Sequence, residues 1–146
     1  MKKIFYTSLL LLFTFTCFSQ NYKIDVKIKG MTDSVAYLLS YTGNAPYYYD
    51  TAFVKKDGSF TFIKDTMPHG VYAIIYDSKR PSFFDILVNE TRINLEAEIA
   101  DVVGSMKVKK SEENKLFFDY LKFFNYFCNS KKCMLLISSF FSGFNF

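Results

Sequence analysis

Cys128 and Cys133 carry the most reactive side chains in this 146-residue sequence, with four residues between them. A redox-active pair works at a two-residue spacing, with its first thiol activated at a helix N-terminus. These two do not meet that pattern and read as incidental thiols of a C-terminal segment; the spacing leaves open whether they pair. His69 is the only histidine and lies between Pro68 and Gly70. A zinc site takes three or four His, Cys or carboxylate ligands, and the sequence around His69 offers none. Asp85 interrupts the apolar run Phe83-Phe84-Asp85-Ile86-Leu87-Val88. An unpartnered carboxylate is costly to bury, so Asp85 is placed facing solvent or an edge. Serine-nucleophile motifs, phosphate-cradling glycine loops and metal-binding helix motifs are absent. These residues predict no enzyme, no cofactor and no metal.

Tyr47-Tyr48-Tyr49 is the one aromatic cluster with binding chemistry, because tyrosine rings offer apolar faces and a polar tip. Consecutive strand residues point to opposite sides, so Tyr47 and Tyr49 share a face. They form a candidate binding surface for sugars or peptides, set against ordinary sheet packing.

The elements that must hold these residues are strands. Tyr22, Ile24, Val26 and Ile28 alternate with Lys23, Asp25, Lys27 and Lys29, a period of two that marks one buried and one wet face. A turn at Gly30 to Asp33 leads into Val35-Ala36-Tyr37-Leu38-Leu39. After Thr42-Gly43-Asn44-Ala45-Pro46, residues 47–54 place Tyr47, Tyr49, Thr51 and Phe53 on one side. Asp57-Gly58 suits a two-residue hairpin turn with both residues at positive φ. Residues 71–76 and 83–88 are apolar on both faces, which predicts central strands covered from both sides. Asn89-Glu90-Thr91 matches a glycosylation acceptor but reads more simply as a hairpin turn into Ile93, Leu95 and Ala97. Met106-Lys107-Val108 is the last short strand. No helical period separates these runs, so the fold class is all-β: a predominantly antiparallel β-sandwich, preferred over a flattened barrel. It is followed by one C-terminal α-helix and an irregular hydrophobic tail.

Ser111 caps that helix, and Glu112 and Glu113 occupy its first turn, where the macrodipole favours negative charge. Lys115, Asp119, Lys122 and Asn125 form a narrow polar stripe. Leu116, Phe117, Tyr120, Leu121 and Phe124, with Phe118, Phe123 and Phe127, fill most of the rest. Such a helix needs partners on several sides. Leu116, Phe117, Tyr120, Leu121 and Phe124 are the candidate interaction residues, for a second copy or a further domain.

At the other end, Met1-Lys2-Lys3 precedes an apolar run over residues 4–15, and Cys17-Phe18-Ser19 is followed by Gln20. This is the pattern of a secretory leader, residues 1–19. The run is well short of the roughly 20 residues that span a bilayer. An exported chain of the periplasm or cell envelope is expected, without a stable transmembrane segment after leader removal. Half the residues are hydrophobic and a fifth aromatic, enough for a real core. The net charge of +4 falls to +2 once Lys2 and Lys3 leave. The remaining charges alternate in sign, whereas nucleic-acid binding needs a concentrated basic face.

Gly30-Met31-Thr32-Asp33-Ser34, Tyr37-Leu38, Asp50-Thr51-Ala52, Asp57-Gly58-Ser59-Phe60, Gly70-Val71-Tyr72 and residues 84–90 together resemble a known β-rich N-terminal domain of unknown function. That domain commonly precedes a thioredoxin-like domain in exported bacterial thiol–disulfide oxidoreductases of the peroxiredoxin and thiol-interchange type. Residues 111–117 with Tyr120-Leu121 resemble the start of its helical connector, and Lys110 stands where relatives often have glycine. The resemblance covers roughly residues 20–125 and implies a sandwich fold, an envelope location and a missing thioredoxin-like domain as partner. It carries no active site across, because the catalytic Cys-x-x-Cys segment has no counterpart here.

The expected organisation is a leader over 1–19, a β-sandwich over 20–110, a connector helix over 111–127 and a tail over 128–146. The tail departs from the resemblance, and the expectation is a frameshift or premature stop near Asn125. The leading functional expectation is a non-catalytic accessory module, a remnant of an envelope thiol–disulfide oxidoreductase. The alternative is a free-standing exported binding module for envelope glycans or peptides. A small outer-membrane barrel fits poorly, since such barrels need strands of about 9–11 residues with an outward apolar band.

Overall fold

The structure, a computed structural model, describes residues 21–42, 45–77 and 82–129. Among these residues there are eight strands, β1 (Tyr22–Lys29), β2 (Val35–Thr42), β3 (Ala45–Phe53), β4 (Ser59–Lys64), β5 (Gly70–Asp77), β6 (Ser82–Val88), β7 (Arg92–Glu98) and β8 (Lys107–Lys110), and two helices, α1 (Val102–Ser105) and α2 (Glu112–Asn129). The strands form two four-stranded sheets, β4-β1-β7-β8 and β3-β2-β5-β6. Residues 1–19, where a leader is expected, and most of the segment 128–146, including Cys133, lie outside the described residues.

Alternation fixes the core. Ile24, Val26 and Ile28 of β1, Phe60 and Phe62 of β4, and Ile93, Leu95 and Ala97 of β7 are buried from one sheet. Ala36 and Leu38 of β2, Tyr72 and Ile74 of β5, and Phe84, Ile86 and Val88 of β6 are buried from the other. They form one continuous cluster, the two-layer arrangement that the period-two pattern predicts.

The connections differ from the expected chain of hairpins. The turn after β1 and the Asn89-Glu90 turn after β6 each carry the chain into the opposite sheet. Although five strands intervene in the chain, β1 and β7 lie side by side and parallel, Val26 opposite Leu95. All other pairings are antiparallel. The Asp57-Gly58 expectation is corrected too. Only Gly58 takes positive φ, at 77°, and the Gly58 N–H donates to the Lys55 carbonyl at 2.9 Å. This tight turn links β3 in one sheet to β4 in the other. A Cβ on Gly58 would lie 2.1 Å from the Ile28 carbonyl oxygen, so close backbone packing requires glycine there as well.

A β-bulge at Tyr49 breaks the expected face of β3, since Leu38 pairs with Asp50 while Leu39 pairs with Tyr48. The extra residue reverses the parity of the strand beyond it. Ala52 is buried and Phe53 is 83% exposed, so Thr51 and Phe53 do not share an inward side with Tyr49. α1 is an element the strand pattern missed. Asp101 caps it by accepting from the Gly104 N–H at 2.8 Å.

α2 lies along the open side of the sandwich, against β6 and β8. β3 and β4 meet at the opposite side, where the Lys64 ammonium lies 3.2 Å from the Asp50 carboxylate.

Candidate interaction surface

The start of α2 is fixed by three side chains. The Ser111 hydroxyl accepts from the Asn114 N–H at 3.2 Å, as the capping pattern predicts. A Glu90 carboxylate oxygen accepts from the Glu112 and Glu113 N–H groups at 2.9 and 3.2 Å. Two of the orphan donors of the first turn are thereby met by an acid from the β6–β7 turn. Asn114 is fully buried. Its Oδ1 accepts from the Leu87 N–H at 2.9 Å and its Nδ2 donates to the Leu87 carbonyl at 2.7 Å. The side-chain amide thus replaces a missing strand partner on the edge of β6. Ser111 holds φ at +128°, a region that favours glycine. The strained residue is one position after Lys110, where the resemblance looks for glycine.

Further along, Phe118 enters the core and lies 6.2 Å from the Phe84 ring. Phe117 and Leu121 pack at the core margin, and the Lys122 ammonium donates to the Met106 carbonyl. Residues 114, 117, 118 and 121 make one face, joined to the sandwich. From Phe123 through Cys128 every residue is exposed.

The opposite face is apolar and open. Leu116 is 75% exposed, Tyr120 59%, Phe123 66%, Phe124 50% and Phe127 38%. Tyr120 and Phe124 stack at 6.2 Å, as do Phe123 and Phe127 at 6.3 Å. Leu116, Phe117 and Tyr120 also line, with Glu113 and Leu87, an open hollow of about 490 Å³ beside β6. The candidate helix residues therefore split. Leu116, Tyr120 and Phe124 face outward, while Phe117 and Leu121 serve mainly to attach the helix.

The outer face of β3-β2-β5-β6 extends this apolar surface. Val71 is 43% exposed and Phe83 55%, so the strands that are apolar on both faces are covered on one side only. β5 is an interior strand, whereas β6 is an edge. The same face carries Tyr48, 70% exposed, which meets Tyr37 edge-on at 5.6 Å. The structure does bring Tyr47 and Tyr49 together at 6.4 Å. Tyr49, however, turns onto Tyr72 at 5.3 Å and donates to the Thr66 carbonyl at 3.3 Å, leaving Tyr47 as the exposed member.

The other chemistry-bearing residues stay apart. The Tyr22 hydroxyl and His69 Nε2 lie 3.1 Å from each other at the surface. Asp85 accepts from the Tyr41 hydroxyl at 3.2 Å on the outer sheet face, and burial together with the Asp85 charge raises the Tyr41 pKa. Cys128 is exposed near the end of α2. Among the described residues no three His, Cys, Asp or Glu side chains converge on a metal-sized site. No helix among them is long and apolar enough to cross a membrane.

The sheet opposite is charged on its outer side. Glu96 of β7 is held by Lys109 of β8 and by Lys29 of β1 at 3.1 Å. These contacts, Lys109 first, draw the Glu96 pKa down to about 2. Asp57 is likewise lowered to about 2, by the Ser59 hydroxyl and then Lys27. Burial pushes Asp25 upward, but hydrogen bonds from Lys23 and Thr61 more than offset it. Ion pairs engage several of the charges there, and Asp25, Lys27, Lys55, Asn94, Glu96 and Lys109 line an open hollow of about 230 Å³.

Asn114 and Glu90 are the residues that sequence reasoning missed. An asparagine three positions after a capping serine was the available signal. Nothing local marks Glu90, whose partner is more than twenty residues away. A family model described as a domain of unknown function (DUF4369) matches residues 22–117. No curated protein and no solved structure matches.

Proposed function

We propose a function for this chain, which belongs to the DUF4369 family of domains of unknown function: it is a non-catalytic interaction module of the bacterial envelope, working alongside thiol–disulfide oxidoreductases. The observation that carries the reading is the exposed apolar face of α2, on a helix rigidly tied to the sandwich by Asn114 and Phe118. A monomer gains nothing by ordering such a face in water, whereas a partner surface gains its burial. The link to redox enzymes rests on the resemblance of residues 20–125, and export rests on the leader pattern of residues 1–19.

The test has two arms. In a disulfide-reduction assay the purified full chain adds no turnover to that of the chemical reductant. Turnover above that of the reductant, lost in the C128S/C133S double variant, would refute the non-catalytic reading. In the second arm, an exported thioredoxin-like oxidoreductase is titrated with the full chain. Micromolar binding, weakened in the Leu116→Lys variant, is expected, and no binding removes the redox enzymes as partners.

A further inference from the structure

We infer that the outer face of the β4-β1-β7-β8 sheet carries a second binding site, for one residue of an acidic, carboxylate-bearing sugar. The site shares no residue with the open face of α2, so it goes beyond the interaction-module reading and does not rest on it.

Register builds the hollow. Thr61, Asp25 and Asn94 stand side by side across β4, β1 and β7, and Ser59, Lys27 and Glu96 form the next row. These side chains point outward, because Phe60, Val26 and Leu95 between them are buried in the core. Lys55, from the turn between β3 and β4, and Lys109, from β8, complete the lining. Lys109 is the extra residue of a bulge, since Asn94 pairs with Lys110 and Leu95 with Val108. Such a bulge re-aims a side chain, here onto Glu96. The backbone of Lys55 is held on both sides. Its N–H donates to the Ser59 carbonyl at 2.8 Å, and its carbonyl accepts from the Gly58 N–H at 2.9 Å.

Pairing leaves one cation over. Asp25 meets Lys23 at 2.9 Å, Lys27 meets Asp57 at 3.2 Å, and Glu96 meets both Lys29 and Lys109. Lys55 forms no ion pair among the described residues. The hollow therefore takes one negative group, at Lys55, without displacing a pair already made.

Hydrogen-bond direction specifies the rest of the ligand. The Ser59 hydroxyl donates to Asp57 and the Thr61 hydroxyl to Asp25, each at 2.7 Å. With those protons committed, both oxygens turn only lone pairs to the hollow, and a ligand must bring donors to them. The half-buried Asn94 amide has no side-chain hydrogen bond among the described residues and offers a donor and an acceptor together. One carboxylate flanked by hydroxyls matches this set, and a uronic acid supplies both. At about 230 Å³ the hollow is smaller than the roughly 300–1,000 Å³ of drug-sized pockets. It has room for a single sugar residue.

Titration of glucuronate into the isotope-labelled full chain, followed by the Asn94 side-chain amide signals, tests this. Saturable shifts with a dissociation constant of about 1 mM are expected, because so small a ligand makes few contacts in an open site. Lys55→Met should weaken binding about tenfold, as loss of a charged hydrogen-bond donor does, with far-UV circular dichroism unchanged. Lys55→Arg, which keeps the charge, should retain it, and Lys56→Met, outside the hollow, should leave it intact. Glucose lacks the carboxylate and acetate lacks the hydroxyls, so each should bind about tenfold more weakly or not at all. No saturable shift at about 20 mM glucuronate overturns the inference. So does binding untouched by Lys55→Met, an equal loss in Lys56→Met, or glucose or acetate binding as tightly as glucuronate.

Discussion

Glu96 joins three strands through two lysines, one on β1 and one on β8. Its pKa is about 2 in the fold, below its ordinary 4.5, so the folded state binds its proton less tightly than the unfolded chain does. The stability it contributes is present above about pH 4.5 and is lost as pH falls toward about 2. Asp57 adds to the same window from an ordinary value of 3.8. The urea midpoint should therefore drop between pH 4.5 and 2, and drop less in the Glu96→Gln variant. An identical acid profile in that variant would show that the lysine pair contributes nothing. Lys29 was legible on the wet face of β1, but Lys109, beyond the expected strand at 106–108, and the carboxylate that the two share were not. Which acid a lysine meets depends on the neighbouring strand and its register.

The anchoring of α2 is the deciding feature at the scale of elements. Its cap at Ser111, its first-turn acids and its apolar excess follow from local chemistry and are read directly from residues 111–127. Its attachment is not, because it runs through the Leu87 backbone on an edge strand. Removing the Asn114 amide leaves the Leu87 N–H and carbonyl without partners, each costing about 1–3 kcal/mol if the site stays dry. Asn114→Ala should destabilise the chain by about 2–4 kcal/mol in urea unfolding. A loss below about 1 kcal/mol would show that water replaces the amide. The bulge at Tyr49 carries a similar lesson. Three consecutive tyrosines read as simple alternation, yet the pairing with β2 inserts one extra residue and turns Tyr49 inward.

At the scale of the whole molecule, Phe118 connects the helix to the core shared by both sheets. It lies one residue beyond the family match, yet its ring is almost wholly buried. Phe118→Ala should cost about 3–5 kcal/mol, measured by urea unfolding. A cost near that of an exposed substitution would mean that the sandwich closes without the helix. The parallel pairing of β1 with β7 also belongs to this scale. It joins residues some seventy positions apart and has no local signature, since parallel neighbours need a long crossover.

The sequence by itself determined the all-β class, the inward set of residues on most strands, the capped helix and that helix's excess of apolar surface. Each follows from short-range periodicity or from a single side chain's bond to nearby backbone. The tertiary structure alone decided which strands pair, which turns cross between sheets, that the outer face of β5 and β6 lies open, and which side of α2 is spent on attachment. Those outcomes depend on contacts between segments far apart in the chain, where burial is shared and no local pattern records the partner.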